Sequence, residues 1–154
     1  MKIISVICVL GLILGLFSSA LAQEANRVAT ILELKGKVEV KTPKGAWMPA
    51  KLGMILNPKD IIRTSKKSLA VLNLDGLGQT AIVELKEKSQ LQLTELLENK
   101  QEKSQNTFLD LALGEILIKA KKLHSEKSRF EVKTPTSIVG VRGTTFSVAV
   151  EAIE

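Results

Sequence analysis

From Val38 onward the residues fall into short runs that alternate apolar and polar side chains, a pattern that admits little but β-structure. Val38-Glu39-Val40-Lys41-Thr42 repeats at every second position, the period of a strand with one buried face. Leu69-Ala70-Val71-Leu72-Asn73-Leu74 is more continuously apolar and runs into Asp75-Gly76, a pair suited to positive φ in a tight turn. The series continues through residues 81–85, 91–96, 108–113 and 115–119, the last two on either side of Gly114, and then through 130–133 and 144–150. No long stretch repeats its apolar residues at helical spacing, and no tandem repeat of convincing period appears. Short strands between turn signals predict an all-β single domain of mostly antiparallel strands, forming a sandwich or a roll. Residues 27–34 have a helix-compatible start, but Val28, Thr30 and Ile31 favour a strand. Residues 95–106, with Glu98, Lys100, Glu102 and Lys103 in quick alternation, read equally as a loop, a long hairpin tip or a short exposed helix.

The first residues follow a different rule. Met1-Lys2, a short apolar run to Phe17 and then Ser18-Ser19-Ala20-Leu21-Ala22 have the three parts of a secretory signal peptide. A spanning helix needs about 20 apolar residues, and this run is shorter and ends in serines. The expectation is a signal helix over 1–22, cleavage before Gln23, and a domain over 23–154. No transmembrane segment is expected after cleavage, and no cysteine follows to carry a lipid. The only cysteine, Cys8, lies in the leader, so the mature chain makes no use of an oxidising compartment. A domain of this size buries enough surface to need neither disulfide nor metal.

The net charge of +6 at pH 7 invites an anionic partner: nucleic acid, envelope polymer or lipid, or an acidic protein. Nucleic acid fits worst, because one Trp, four Phe and no Tyr leave few aromatic platforms for bases.

A catalytic constellation is hard to assemble. His124, the single histidine, sits in a charged connector, where a solvated role is the ordinary one. Without a mature cysteine a Cys/His pair is impossible. No Gly-x-Ser-x-Gly elbow, zinc ligand set or calcium loop is present. Asp60, Asp75 and Asp110 are conceivable acid/base partners, but the first two have turn roles available and Asp110 alternates within a strand. The expectation is a non-enzyme without cofactor or metal.

Two motifs stand out. Gly140-Val141-Arg142-Gly143-Thr144 offers an arginine fork for an anion, but it leads into a strand rather than a helix. The simpler reading gives both glycines a bend role and Arg142 a nearby carbonyl or carboxylate. Trp47 is either an exposed anchor for a partner or a lid over one end of the core, and the lid is the reading we expect.

Taken in order, these segments resemble the FecR domain. Gly36-Lys37-Val38-Glu39-Val40, Trp47 with Ala50 and Gly53, and Leu56 before Asp60-Ile61-Ile62-Arg63-Thr64 look like its opening. Ser68 to Leu72, Asp75-Gly76 and the turn at Leu113-Gly114-Glu115-Ile116 follow. Phe130-Glu131-Val132-Lys133-Thr134-Pro135 and Val139 to Val148 are the most specific part. One departure is Lys59, where the family usually has glycine before the aspartate.

The resemblance implies a periplasmic sensing module. In well-known members it sits on a single-pass regulator that receives a signal from a TonB-dependent outer-membrane transducer and controls a sigma factor. Here a leader stands where the sigma-binding segment would be, and the chain stops just past the last motif strand. The expectation is therefore a stand-alone periplasmic or cell-surface module that binds an envelope protein, with Trp47, Asp60, Arg63, Thr64, Thr134, Pro135, Arg142, Gly143 and Thr144 as motif or interaction residues. The alternative partner is an anionic envelope polymer or lipid: peptidoglycan, lipopolysaccharide or membrane.

Overall fold

The computed structural model describes residues 24–74, 81–122 and 125–151. The proposed leader with its cleavage point, the Asp75-Gly76 turn and His124 lie outside the described residues. Within them every regular element is a strand: β1 (Glu24–Asn26), β2 (Ala29–Lys35), β3 (Val38–Lys41), β4 (Met48–Pro49), β5 (Ile55–Leu56), β6 (Ile61–Thr64), β7 (Leu69–Leu74), β8 (Ala81–Leu85), β9 (Gln90–Asn99), β10 (Ser104–Ala120), β11 (Arg129–Lys133), β12 (Ile138–Gly140) and β13 (Thr145–Val150). No helix among them is long and apolar enough to cross a membrane. The expected all-β, mostly antiparallel fold is borne out as one curled sheet.

Four bent runs of chain make the centre of that sheet: β2 into β3, β6 into β7, β8 into β9, and β10. Each pairs with the next on both sides of its bend, through β3–β6 and β2–β7, then β6–β9 and β7–β8, then β9–β10 and β10–β8. Alternate residues point inward on every run, so Val38, Val40, Ile62, Leu72, Val83, Leu91, Leu111 and Ile116 join one core cluster. The segment 47–56, with β4 and β5, lies along the flank of the first run. β11, β12 and β13 lie along the flank of the last.

The bends sit on one line and use one device twice. Gly36 has φ 72° and Gly114 φ 88°. A Cβ on Gly114 would overlap Cα and Oγ of Ser89, and one on Gly36 would crowd Ser68. The amide after each glycine donates to the serine across from it, Lys37 N–H to Ser68 Oγ and Glu115 N–H to Ser89 Oγ, both at 2.9 Å. Each serine follows a lysine at positive φ, Lys67 at 51° and Lys88 at 53°. Thr64 completes the line: its Oγ1 accepts from Ser89 N–H at 3.0 Å and donates to Lys86 O at 2.5 Å.

Two expectations need correction here. The Leu113-Gly114 turn between strands is a bend inside the single seventeen-residue strand β10. Its positive φ turns the chain while pairing to β9 ends and pairing to β8 begins. Gly140 is an ordinary strand residue at which an added Cβ would meet nothing within 4 Å, so it supplies no bend. The ambiguous 95–106 segment resolves as a hairpin tip: β9 runs to Asn99 and β10 starts at Ser104. Asn99 Oδ1 accepts the Gln101 and Glu102 amides at 3.0 Å and shapes the turn. The one parallel pair among the described strands, β10–β11, is possible because residues 111–128 form the long return that parallel neighbours need.

Lys59 occupies the expected glycine position at φ 76°, conformationally unfavourable for a side chain with a Cβ. Lys59→Gly should raise stability by about 0.5–1 kcal/mol, the relief of that strain less the entropy glycine adds to the unfolded chain. Gly114→Ala should lower it by about 3 kcal/mol or more, since positive φ and backbone overlap act together. Urea midpoints at unchanged m-value check both.

Candidate functional site

The motif residues divide into those that hold turns and those that face solvent. Asp60 is buried, and its Oδ2 accepts the Asn57 amide at 2.8 Å, closing the Asn57–Asp60 turn. Its own carbonyl accepts Leu93 N–H at 3.0 Å. Thr64 belongs to the bend line. Thr134 is buried at the β11–β12 turn, with Oγ1 accepting Ser137 N–H at 3.1 Å, and Pro135 is exposed in the same turn. Gly143 has φ 75° and packs where a Cβ would strike Lys122 backbone, so its bend role holds. Thr144 is exposed, and its carbonyl accepts Ala120 N–H at 3.1 Å, which starts the β10–β13 pairing. None of these side chains reaches another across a cleft, and no cluster of metal-ligating residues occurs among the described residues.

Arg142 departs from the expected structural role. It is exposed and makes no hydrogen bond or ion pair among the described residues.

Trp47 and Arg63 form the most organised surface feature. Glu39 and Arg63 face each other across β3–β6, both on the outer side because Val38, Val40, Ile62 and Thr64 take the inner one. The Arg63 guanidinium donates to Glu39 Oε2 through Nε at 3.0 Å and also approaches it through Nη2 at 2.9 Å. Fixed in that way, it lies 3.8 Å from the centre of the Trp47 ring, with Lys41 Nζ at 6.0 Å. Trp47 is half-buried under this cation and is absent from the residues packed on the core, which corrects the lid reading. A lid needs a gap in the core to cover. Here Ala50 and Met54 pack on the core from this flank, and the ring stays outside.

Beyond Trp47 the 47–56 segment is tied to the sheet by backbone bonds from Ala50 N–H to Val38 O and Gly53 N–H to Ile31 O. Those bonds leave Met48, Leu52 and Ile55 exposed, Leu52 by 69 %. Nine of the chain's Lys and Arg lie between Lys35 and Lys67, against two acidic residues, Glu39 and Asp60, both already engaged. The motif pattern singled out Trp47 and Arg63 but not this apolar set, whose exposure depends on which side of the flank each residue faces.

The sequence reading also missed Arg27. It is 4 % exposed, and its guanidinium donates to Leu97 O and Asn106 O at 3.0 Å and to Thr107 Oγ1. It clamps the start of the first run onto the β9–β10 hairpin. A single arginine beside no motif carries no sequence signal of this.

Trp47 is the only tryptophan, so its emission reports the stack directly. Arg63→Ala should shift that emission to longer wavelength while costing no more than about 1 kcal/mol, because the cation and ion pair are partly solvated. Unchanged emission would contradict the stack.

Comparison with known proteins adds one positive finding. A family profile described as FecR protein matches residues 60–153, from the Asp60 turn through β13. The 47–56 flank precedes that range, whereas Arg63 and Arg142 fall within it. Searches of curated proteins and of solved structures return no match. FecR domains are a periplasmic-type sensing and signalling family, not one known for catalysis. The profile covers well over half of the residues, and the chain belongs to the FecR family.

Proposed function

We propose that this chain is an exported interaction module of the periplasm or cell surface, which binds another envelope protein through the flank formed by residues 47–56 and Arg63. The observation that carries the reading is the exposure of Met48, Leu52 and Ile55 beside a tryptophan held under Arg63. Aromatic, methionine and arginine side chains around an apolar centre are the composition enriched in protein interfaces. Isolated exposed apolar residues are ordinary, but a run of them on one edge segment marks a contact surface. The cationic surround of Lys41, Lys44 and Lys51 favours a partner with an acidic rim. Membership of a signalling family agrees with a role exercised through other proteins. The leader-like first 22 residues supply the export route, with processing before Gln23.

The cationic excess between Lys35 and Lys67 also favours a second reading, binding to peptidoglycan, lipopolysaccharide or anionic lipid. The two differ in salt response, because exposed charges are screened within about 10 Å at 0.1 M salt whereas an apolar centre is not.

The test is crosslinking in cells of the tagged chain, with envelope fractions washed at low and high salt and mass spectrometry of the products. One dominant protein partner, resistant to salt and reduced at least about fivefold by Trp47→Ala or Leu52→Asp, is expected on hot-spot grounds. Recovery with polymer or lipid alone, released by salt, would replace the first reading with the second. The same spectra read the mature N-terminus, which should be Gln23.

A further inference from the structure

The open side of β13 differs from the other free strand edges. β4 and β5 are two residues long, with Pro49 in β4, and β1 and β12 are three. β13 runs six residues, Thr145–Val150, without charge or proline, and pairs only with β10 among the described residues. Long uncharged edges are templates for another strand, and proteins ordinarily shorten them or guard them with charge.

The ladder fixes which groups face outward. Ala120 N–H donates to Thr144 O, so the alternation of an antiparallel pair turns the N–H and C=O of Thr145, Ser147 and Ala149 away from β10. Their side chains are small and exposed. On the inner face Phe146 and Val150 pack against the core yet stay half-exposed, and Val148 keeps 8 % exposure where Ile116 and Ile118 of β10 keep none. The core is less tightly closed along this edge than on the β10 strand beside it.

Charge identifies the occupant. Arg142 precedes the strand and Glu151 follows it; both are exposed and neither forms an ion pair among the described residues. An open cavity of about 430 Å³ at the Glu151 end is lined by Glu87, Glu115, Glu151, Lys86, Lys88 and Val150, among others. Lys86 is already paired with Glu84, so Lys88 is the one lysine of the cavity outside an ion pair, against Glu115 and Glu151, which form none among the described residues. A cation at one end of an edge and unpaired carboxylates at the other are complementary to the same edge reversed.

We propose that β13 pairs antiparallel with β13 of a second copy of this chain. Ser147 lies opposite Ser147 of the partner subunit, and Thr145 opposite Ala149 of the partner subunit. Arg142 of each copy reaches the carboxylate-bearing cavity of the other. The contact is isologous, so it closes at two copies and grows no filament. It is independent of the 47–56 flank, which lies on the far side of the four central runs.

Sedimentation of protein purified from cells producing the full chain tests this. A concentration-dependent dimer is expected. Ser147→Pro removes an outward N–H without touching the β10 ladder and should weaken dimerisation at least about tenfold. Ala149→Lys places a charge on the edge and should do the same, which keeps the test decisive should the proline variant fail to fold. Glu151→Arg should weaken the dimer about tenfold, and the swap Arg142→Glu with Glu151→Arg should restore it to within about threefold. A monomer at every concentration overturns the proposal, as does a dimer indifferent to these variants. Crosslinking of the β13 edge to a different protein while the chain itself stays monomeric also overturns it. All four substitutions lie outside residues 47–56, so this result and that of the envelope-partner crosslinking are read separately.

Discussion

Everything in this fold depends on bending four strands at the same level, and a line of buried hydroxyls makes that bend possible. A bent strand tilts backbone amides out of their ladder, and a buried amide without an acceptor costs about 1–3 kcal/mol. Ser68 and Ser89 meet the Lys37 and Glu115 amides at the two glycine bends, and Thr64 bridges the two runs between them. At those two bends glycine supplies the backbone geometry and the hydroxyl supplies the missing acceptor. With the line in place, both halves of each run present their alternate side chains to one core.

That arrangement also decides what the surface can do. Four central runs pair with one another on both sides, leaving two flanks. One flank is closed by the 47–56 segment, which commits its backbone to the sheet and leaves apolar side chains and a cation-capped tryptophan outside. The other is closed by β11 and β12 beside the first half of β10 and by β13 beside the second. Trp47 and Arg142, both singled out by the motif reading, therefore lie on opposite flanks of the four central runs.

Several features were legible in the residues themselves. Period-two alternation located most strands, because a sheet with one buried face imposes it on any sequence. The expected glycine before Asp60 corresponds to a real positive φ, which Lys59 occupies instead. The bend line was less visible. Its signature is the pair Lys67-Ser68 and Lys88-Ser89, each facing a distant glycine, and two dipeptides do not stand out in a lysine-rich chain. Arg27 left no signal, since a guanidinium that clamps backbone carbonyls needs no particular neighbour in sequence.

The sequence by itself determined the all-β class, most strand positions, the family and the lack of any evident catalytic set, because these follow from local alternation and from which residue types are present. Only the tertiary structure decided that 95–106 is a hairpin, that Gly114 bends a strand instead of ending it, and that Trp47 lies outside the core. It also decided which of the free edges among the described strands is long and uncharged. Those outcomes depend on which strand lies beside which, and pairing partners are set by contacts between residues far apart in the chain, where a period-two pattern is the same for every choice.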